Sequence, residues 1–221
     1  MSPLAPIAIQ AEVDNRERAA VVFGAQQLAE ALRVAADVDW PIQVTFLDAG
    51  GLRAETAGSI AVLSLLGDVE SDEPFGETAA RWRRRADSLA AEGANVVLLT
   101  VVRAVPERRT QKGQLLLEKI RRLNRMALDL SHEFGVTVVD IDRAFAHIGA
   151  RVLATDYRLA GRVAAEVAGH SFALSLLSLG LDDIIPVDIQ ERARTYHGPL
   201  REIDTLVRRR VAAIGQGAAP G

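Results

Sequence analysis

Ile60–Glu70, IAVLSLLGDVE, decides the fold. The chain is apolar or small without a break from Ile60 to Leu66. It then meets Gly67 and the acids Asp68, Glu70, Asp72 and Glu73. A continuous apolar run closed by a turn residue predicts a strand buried on both faces. Such strands form the middle of parallel sheets covered by helices above and below. Ligands of these sheets sit beyond the carboxyl ends of the strands, where the acids after Leu66 would stand.

Upstream, Pro6–Gln10 reads as a short strand, and a helix follows from about Asn15 to Ala36 with Val21, Leu28 and Leu32 on its apolar face. Asp14 has the character of its N-cap, with Glu17 as the capping-box partner. Ile42–Leu47 is the second strand, Asp48–Gly51 its exit turn, and residues 52–58 a short helical turn. Downstream, Glu77–Ala91 reads as a surface helix that stops at Gly93. Asn95–Val102 is the fourth strand, followed by a polar, Arg-rich loop from Pro106 to Gly113. Leu116, Ile120, Leu123, Ala127, Leu130 and Phe134 then share one face of a long helix. Val136–Val139 is the fifth strand, ending at Asp140 and Asp142. A loop carries His147 and Gly149, and Thr155 or Asp156 caps a last core helix with Leu159, Val163, Val167 and Leu174 on one face.

Strands separated by helices imply βαβ units with right-handed crossovers. The expected fold is α/β: a three-layer α/β/α sandwich with a five-stranded parallel sheet, plus a C-terminal helical extension. Residues 1–180 form the α/β domain in this reading. Residues 181–221 form the extension, with a linker at Asp182–Pro186, an amphipathic helix at Pro199–Ile214 and a disordered tail.

The 221 residues are 49% hydrophobic and 25% charged, which suits one globular domain. A net charge of −3 gives no electrostatic case for nucleic acid. The runs Arg81–Arg85 and Arg208–Arg210 fall in predicted helices and read as solvated faces. The absence of cysteine excludes disulfides, thiolate catalysis and Cys-based zinc sites. No apolar run reaches the roughly 18 residues of a membrane span, and the N-terminus lacks the pattern of a signal peptide. The expectation is a soluble, cytoplasmic protein. Lysine occurs only at Lys112 and Lys119, an arginine bias of the kind genome composition produces.

The order of these features resembles the SGNH (GDSL-like) hydrolase family over roughly Pro6 to Leu177. The strand NVVLLTVVRAVP, the Arg-rich loop, the helix IRRLNRMALDLSHEFGV and the strand VTVVDIDRAF are similar to that family's later core. The family places a proline-bearing loop, a helical Asn and a strand-ending Asp there, matched by Pro106, Asn124 and Asp140. TDYRLAG resembles the segment before its last helix. The resemblance implies serine ester hydrolysis: a nucleophilic Ser after the first strand, a His base, an Asp three residues before it, and Gly and Asn donors for the oxyanion. Here the serine position falls on Glu12 or Val13, and no serine lies between Pro3 and Gly58. Gly50 or Gly51 meets the second-strand glycine. The third strand keeps Gly67, but Asp68, Val69 and Glu70 follow where an Asn donor is expected. Asp156 fits the final Asp, whereas Leu159 stands at the His position.

Of the histidines, His132 lies in the last turn of a helix, where imidazole favours the dipole. His170 reads as a packing residue and His197 as solvated. His147, on the carboxyl side of the sheet, is the substitute base if there is one. The carboxylates Glu12, Asp14, Asp48, Asp68, Glu70, Asp140 and Asp156 all fall on one predicted edge. They either cap helices and hydrate loops or form an acidic pocket for a cation. No spacing supports a particular metal loop, no glycine-rich phosphate motif is present, and no metal or cofactor is expected. A receiver domain would use Asp68 and Thr100 but needs a Lys after the fifth strand, which is missing.

The catalytic residues therefore stay unassigned. The ligand-binding set is Glu12, Asp14, Gly50, Gly51, Gly67, Asp68, Glu70, His147 and Asp156. The leading expectation is an SGNH-like domain without the triad, acting as a non-catalytic binding or accessory protein. It would take a small molecule at the sheet's carboxyl edge, and a protein partner or second copy at its C-terminal helix, with no nucleic acid and no membrane. The alternative is an enzyme with a relocated site, in which Glu12 serves as general base or nucleophile beside Asp68, Glu70, His147 and Asp156.

Overall fold

Ile60–Ser64 is the central strand, and four of its five residues are buried. The computed structural model describes residues 6–52, 59–150, 153–197 and 212. Five parallel strands, β1 (Ile7–Glu12), β2 (Ile42–Phe46), β3 (Ile60–Ser64), β4 (Asn95–Leu99) and β5 (Thr137–Val139), pair in the order β2-β1-β3-β4-β5. Glu12 stands opposite Leu63, and Ser64 opposite Leu99.

The helices are α1 (Arg18–Ala36), α2 (Leu66–Val69), α3 (Phe75–Ala91), α4 (Gln111–Phe134), α5 (Ile141–Ile148), α6 (Arg162–Ser175) and α7 (Val187–His197). One apolar layer joins Ile7, Ile9, Ile60, Val62, Val97 and Val139 of the sheet to α1, α5, α6 and α7. The other joins Leu63, Val96 and Leu98 to Trp82, Ala86, Leu89, Ile120 and Leu123 of α3 and α4. The chain leaves β1 in one direction for β2 and returns to the other side for β3, β4 and β5. Right-handed crossovers then put α1 and α3 on opposite faces. A crevice between β1 and β3 at their carboxyl ends follows from that reversal.

The α3/α4 layer does not extend over β2, where Gln43 and Thr45 are exposed, and it leaves Gln10 and Glu12 of β1 half-buried. Asn124 clasps the backbone after β4. Its amide oxygen accepts from the Val101 N–H at 2.9 Å, and its amide nitrogen donates to the Val101 carbonyl at 2.7 Å.

Several boundaries differ from the sequence reading. The apolar run turns at Leu65, so Leu65 and Leu66 are buried at a helix start rather than in the strand. Helix α1 begins at Arg18, not Asn15, because Asp14 first closes a turn: its carbonyl accepts from the Glu17 N–H at 2.9 Å. Asp14 therefore does not cap the helix. Asp140 does cap α5, accepting from the Arg143 N–H at 2.9 Å, and His147 lies in that helix rather than in a loop.

Asp156 does not cap the last core helix, which starts at Arg162 after a turn with left-handed Leu159 (φ 54°) and Gly161. The chain after residue 180 stays on the same core through Leu181, Ile185 and Ala193, so packing does not break there. The helical stretch Arg162–Gly180 is long and apolar enough to cross a membrane, and 61% of it is buried inside the fold. Nearly all of the expected turn over 52–58 and of the expected helix over 199–214 lies outside the described residues.

Candidate functional site

Ala11 points into the α1 layer, so Glu12, the next residue, faces α3. There its carboxylate meets the Arg85 guanidinium, with the two side chains only 10% and 23% exposed. Burial pushes the Glu12 carboxyl up. The Arg85 hydrogen bond and charge, with the backbone amides of Gly50 and Leu52, outweigh it and hold Glu12 below its ordinary value. Asp68, in the short α2, is bound in the same manner. Arg81 pairs with it, and the Trp82 indole N–H donates to it at 2.7 Å. Arg81 also reaches Glu73 at 2.9 Å, which in turn accepts from the Thr78 hydroxyl.

These groups line a cavity of about 770 Å³ at the β1–β3 reversal. Glu12, Val13, Asp14 and Asn15 come from the β1 exit, Asp48 and Gly50 from the β2 exit, Ser64, Gly67 and Asp68 from the β3 exit, and Arg81, Trp82 and Arg85 from α3. Arg18 completes the wall.

A second cluster flanks the cavity. Asp14 accepts from the Arg16 N–H and guanidinium, and Arg16 also pairs with Glu70 at 3.0 Å. The Tyr157 hydroxyl donates to Glu70 at 2.8 Å. Arg16 holds both Asp14 and Glu70 below the usual carboxylate range, with the Tyr157 hydroxyl adding to the effect at Glu70. Burial and Glu70 push the Tyr157 phenol up. Asp156 folds back on Arg158 at 2.5 Å; burial raises its carboxyl, and Arg158 outweighs that and lowers it.

One carboxyl behaves in the opposite way. Glu17 is 1% exposed, and burial pushes its pKa up to about 7 despite a hydrogen bond with the Ser64 hydroxyl. Its Oε2 accepts from the Asp14 N–H at 3.3 Å, which is half of the capping box expected from the sequence.

Of the expected site residues, Glu12, Asp14, Gly50, Gly67 and Asp68 come together around the cavity. Gly51 sits in the turn behind it, its N–H donating to the Asp48 carbonyl at 2.9 Å. Glu70 and Asp156 belong to the flanking cluster, and His147 is exposed in the last turn of α5, away from the cavity. Of the acids expected there, Glu12, Asp14 and Asp68 each carry an arginine. Among the described residues no three carboxylate or imidazole groups gather as metal ligands.

Val13 lines the cavity, and Leu159 is buried in the α1 layer at 4% exposure. Val69, one of the three residues standing where the resemblance expects an Asn donor, is 3% exposed. Sequence reasoning missed Ser64, Arg81, Trp82 and Arg85. Arg81–Arg85 is not merely a solvated face: on a helix, Arg81 and Arg85 are one turn apart and share a face, and that face is turned to the cavity. The lone apolar Trp82 inside the run was the available signal.

No family model and no curated protein matches the chain. Solved structures do. A protein assigned as an SGNH hydrolase from Slackia heliotrinireducens has a TM-score of 0.53 at 13% identity, covering 78% of this chain and 100% of its own. An acetyl xylan esterase has a TM-score of 0.53 at 10% identity, covering 81% and 100%. A protein assigned as a GDSL-like lipase from Parabacteroides merdae has a TM-score of 0.53 at 14% identity, covering 78% and 97%. The chain has the SGNH-hydrolase fold. At these identities the likeness extends to the fold alone.

Proposed function

We propose that this chain is a non-catalytic, ligand-binding protein built on the SGNH-hydrolase fold, with its ligand in the cavity at the β1–β3 reversal. One observation carries the reading: the carboxylates that could act as base or nucleophile there, Glu12 and Asp68, are each engaged by a guanidinium from α3. A carboxylate held ionised in an arginine pair is a weak base and a poor nucleophile, because attack must first break the pair. Glu12 or Val13 where the resemblance expects the nucleophile, and Leu159 where it expects the base, agree with it. The cavity nonetheless combines apolar walls, among them Val13, Leu52, Trp82 and Leu89, with polar groups, as small-molecule sites do.

The test is turnover of p-nitrophenyl acetate by the purified chain. The expected result is no rate above that of buffer, with no change in Glu12→Gln or Asp68→Asn. Saturable hydrolysis lost in either variant would overturn the proposal.

A second reading is favoured by the contact between Ser64 and Glu17. A hydroxyl on the cavity wall donating to a carboxyl titrating near neutrality is a nucleophile beside a base. On that reading, esterase activity is present and falls by orders of magnitude in Ser64→Ala.

A further inference from the structure

Arg18 stands apart from the other cations of the cavity. Arg81 and Arg85 are neutralised by Asp68, Glu73 and Glu12, and the neighbouring Arg16 by Asp14 and Glu70. Arg18 makes no ion pair with any of the described residues. Its guanidinium lies over the Phe46 ring, 5.1 Å from the centroid, and its Nε is buried without an acceptor among the described residues. Stacking occupies the face of a guanidinium and leaves its N–H groups, which radiate in the plane, free to donate. A buried N–H without an acceptor is costly, and in native proteins such a group is met by water, an ion or a ligand.

Arg18 lines the cavity together with the exits of β1, β2 and β3. A Cβ added at Gly50 or at Gly67 would meet nothing within 4 Å. The uncharged polar residues Asn15, Ser64 and Ser88 line the same cavity. The lining acids Glu12, Asp14 and Asp68 are matched by arginines, and Asp48 and Glu92 stand on the exposed rim, where Glu92 accepts from the Ser88 hydroxyl. Within the wall, Arg18 is thus the cation without a carboxylate partner among the described residues.

We infer that the cavity takes a small polar molecule bearing one oxyanion group, a carboxylate or a phosphate, and that Arg18 grips this group in the plane of its guanidinium. The inference rests on the ligand-binding reading above and gives it a ligand class. Uncharged hydroxyls of the same molecule would be met by Asn15, Ser64 and Ser88.

Trp82 is a built-in reporter, since its indole N–H lies in the cavity wall and Trp40 is the only other tryptophan. The full-length ¹⁵N-labelled chain is titrated with sodium phosphate and with sodium acetate against sodium chloride at matched ionic strength. Trp40→Phe assigns the two indole signals. The expected result is a saturable shift of the Trp82 signal with phosphate or acetate and none with chloride. Arg18→Gln should weaken it by about tenfold or more, the loss expected for a charge-assisted hydrogen bond, and Arg18→Lys should retain part of it.

A response to phosphate alone assigns a phosphate ester, and one to acetate alone a carboxylate. An equal shift in wild type and Arg18→Gln overturns the role of Arg18, and so does no shift with either anion. If Arg18→Gln does not fold, Arg18→Lys and its weaker, non-bidentate binding carry the test. A shift with neutral xylose but with neither anion would sink the anion inference and keep the cavity as a binding site. Ester turnover lost in Glu12→Gln would instead sink the non-catalytic reading.

Discussion

Glu17 shows how a single residue can be read correctly in part and still be misplaced. Its spacing from Asp14 predicts a capping box, and the Asp14 N–H does donate to its carboxyl at 3.3 Å. What spacing cannot show is that the side chain is 1% exposed and held near pKa 7 by burial. The folded state favours the neutral acid. Its contribution to stability is thus complete below about pH 4.5 and is lost as the pH rises to about 7. Glu17→Gln fixes the neutral form. It should gain about 1–3 kcal/mol over wild type at pH 8, and nothing at pH 4, in urea unfolding at the two pH values. Arg85→Ala tests the opposite case. It leaves the Glu12 carboxylate, 10% exposed, without its countercharge. The variant should be about 1–3 kcal/mol less stable at pH 7. An NMR titration should find the Glu12 carboxyl moved up, since the Arg85 contributions no longer offset burial.

Elements were legible where periodicity is long and illegible where it is short or interrupted. Helix α4 follows its apolar repeat from end to end, and Gly135 closes it in the left-handed conformation at φ 69°. Helix α5 is only eight residues, too short for a face to show. The start of α6 was placed five or six residues early, because the left-handed Leu159 that breaks the chain is a residue type that sequence rules assign to a helix. Packing between elements was equally hidden. Helices α1 and α6 cross through Gly24 and Gly169, and a Cβ at Gly169 would stand 2.7 Å from the Ala20 carbonyl oxygen and 2.8 Å from the Gly24 nitrogen. Both are backbone atoms, so relief requires the helices to separate. Gly169→Ala gains about 1 kcal/mol of helix propensity, yet overpacking costs about 1–3 kcal/mol. The expected outcome is a net loss, seen as a lower urea midpoint with the slope unchanged. A midpoint equal to or above wild type would show that the crossing tolerates separation.

At the scale of the whole molecule, the sheet was legible because β3 and β4 are buried on both faces and cannot be mistaken for amphipathic helices. The site was only half legible. The sequence placed the acids on one edge, and the strand order β2-β1-β3-β4-β5 does bring Glu12, Asp14 and Asp68 to one crevice. Asp14 has its arginine two residues on, at Arg16, but the arginines that neutralise Glu12 and Asp68 come from α3, and pairing across 73 positions, as between Arg85 and Glu12, leaves no local pattern. This distribution of charge has a consequence for the fold as a unit. Glu12, Asp14, Glu70 and Asp156 are all held below their ordinary values by arginines. Each stabilises the fold above its unfolded pKa, near 4, and that stabilisation is lost as the pH falls toward the folded value. Glu17 acts with the opposite sign between about pH 4.5 and 7. Stability should therefore peak near pH 5, falling on the acid side through the arginine-paired carboxylates and on the neutral side through Glu17. Chemical unfolding from pH 3 to 8 measures this curve. Glu17→Gln should leave the acid limb in place and flatten the limb between pH 5 and 7, and a neutral limb that persists in that variant would assign the loss to another group.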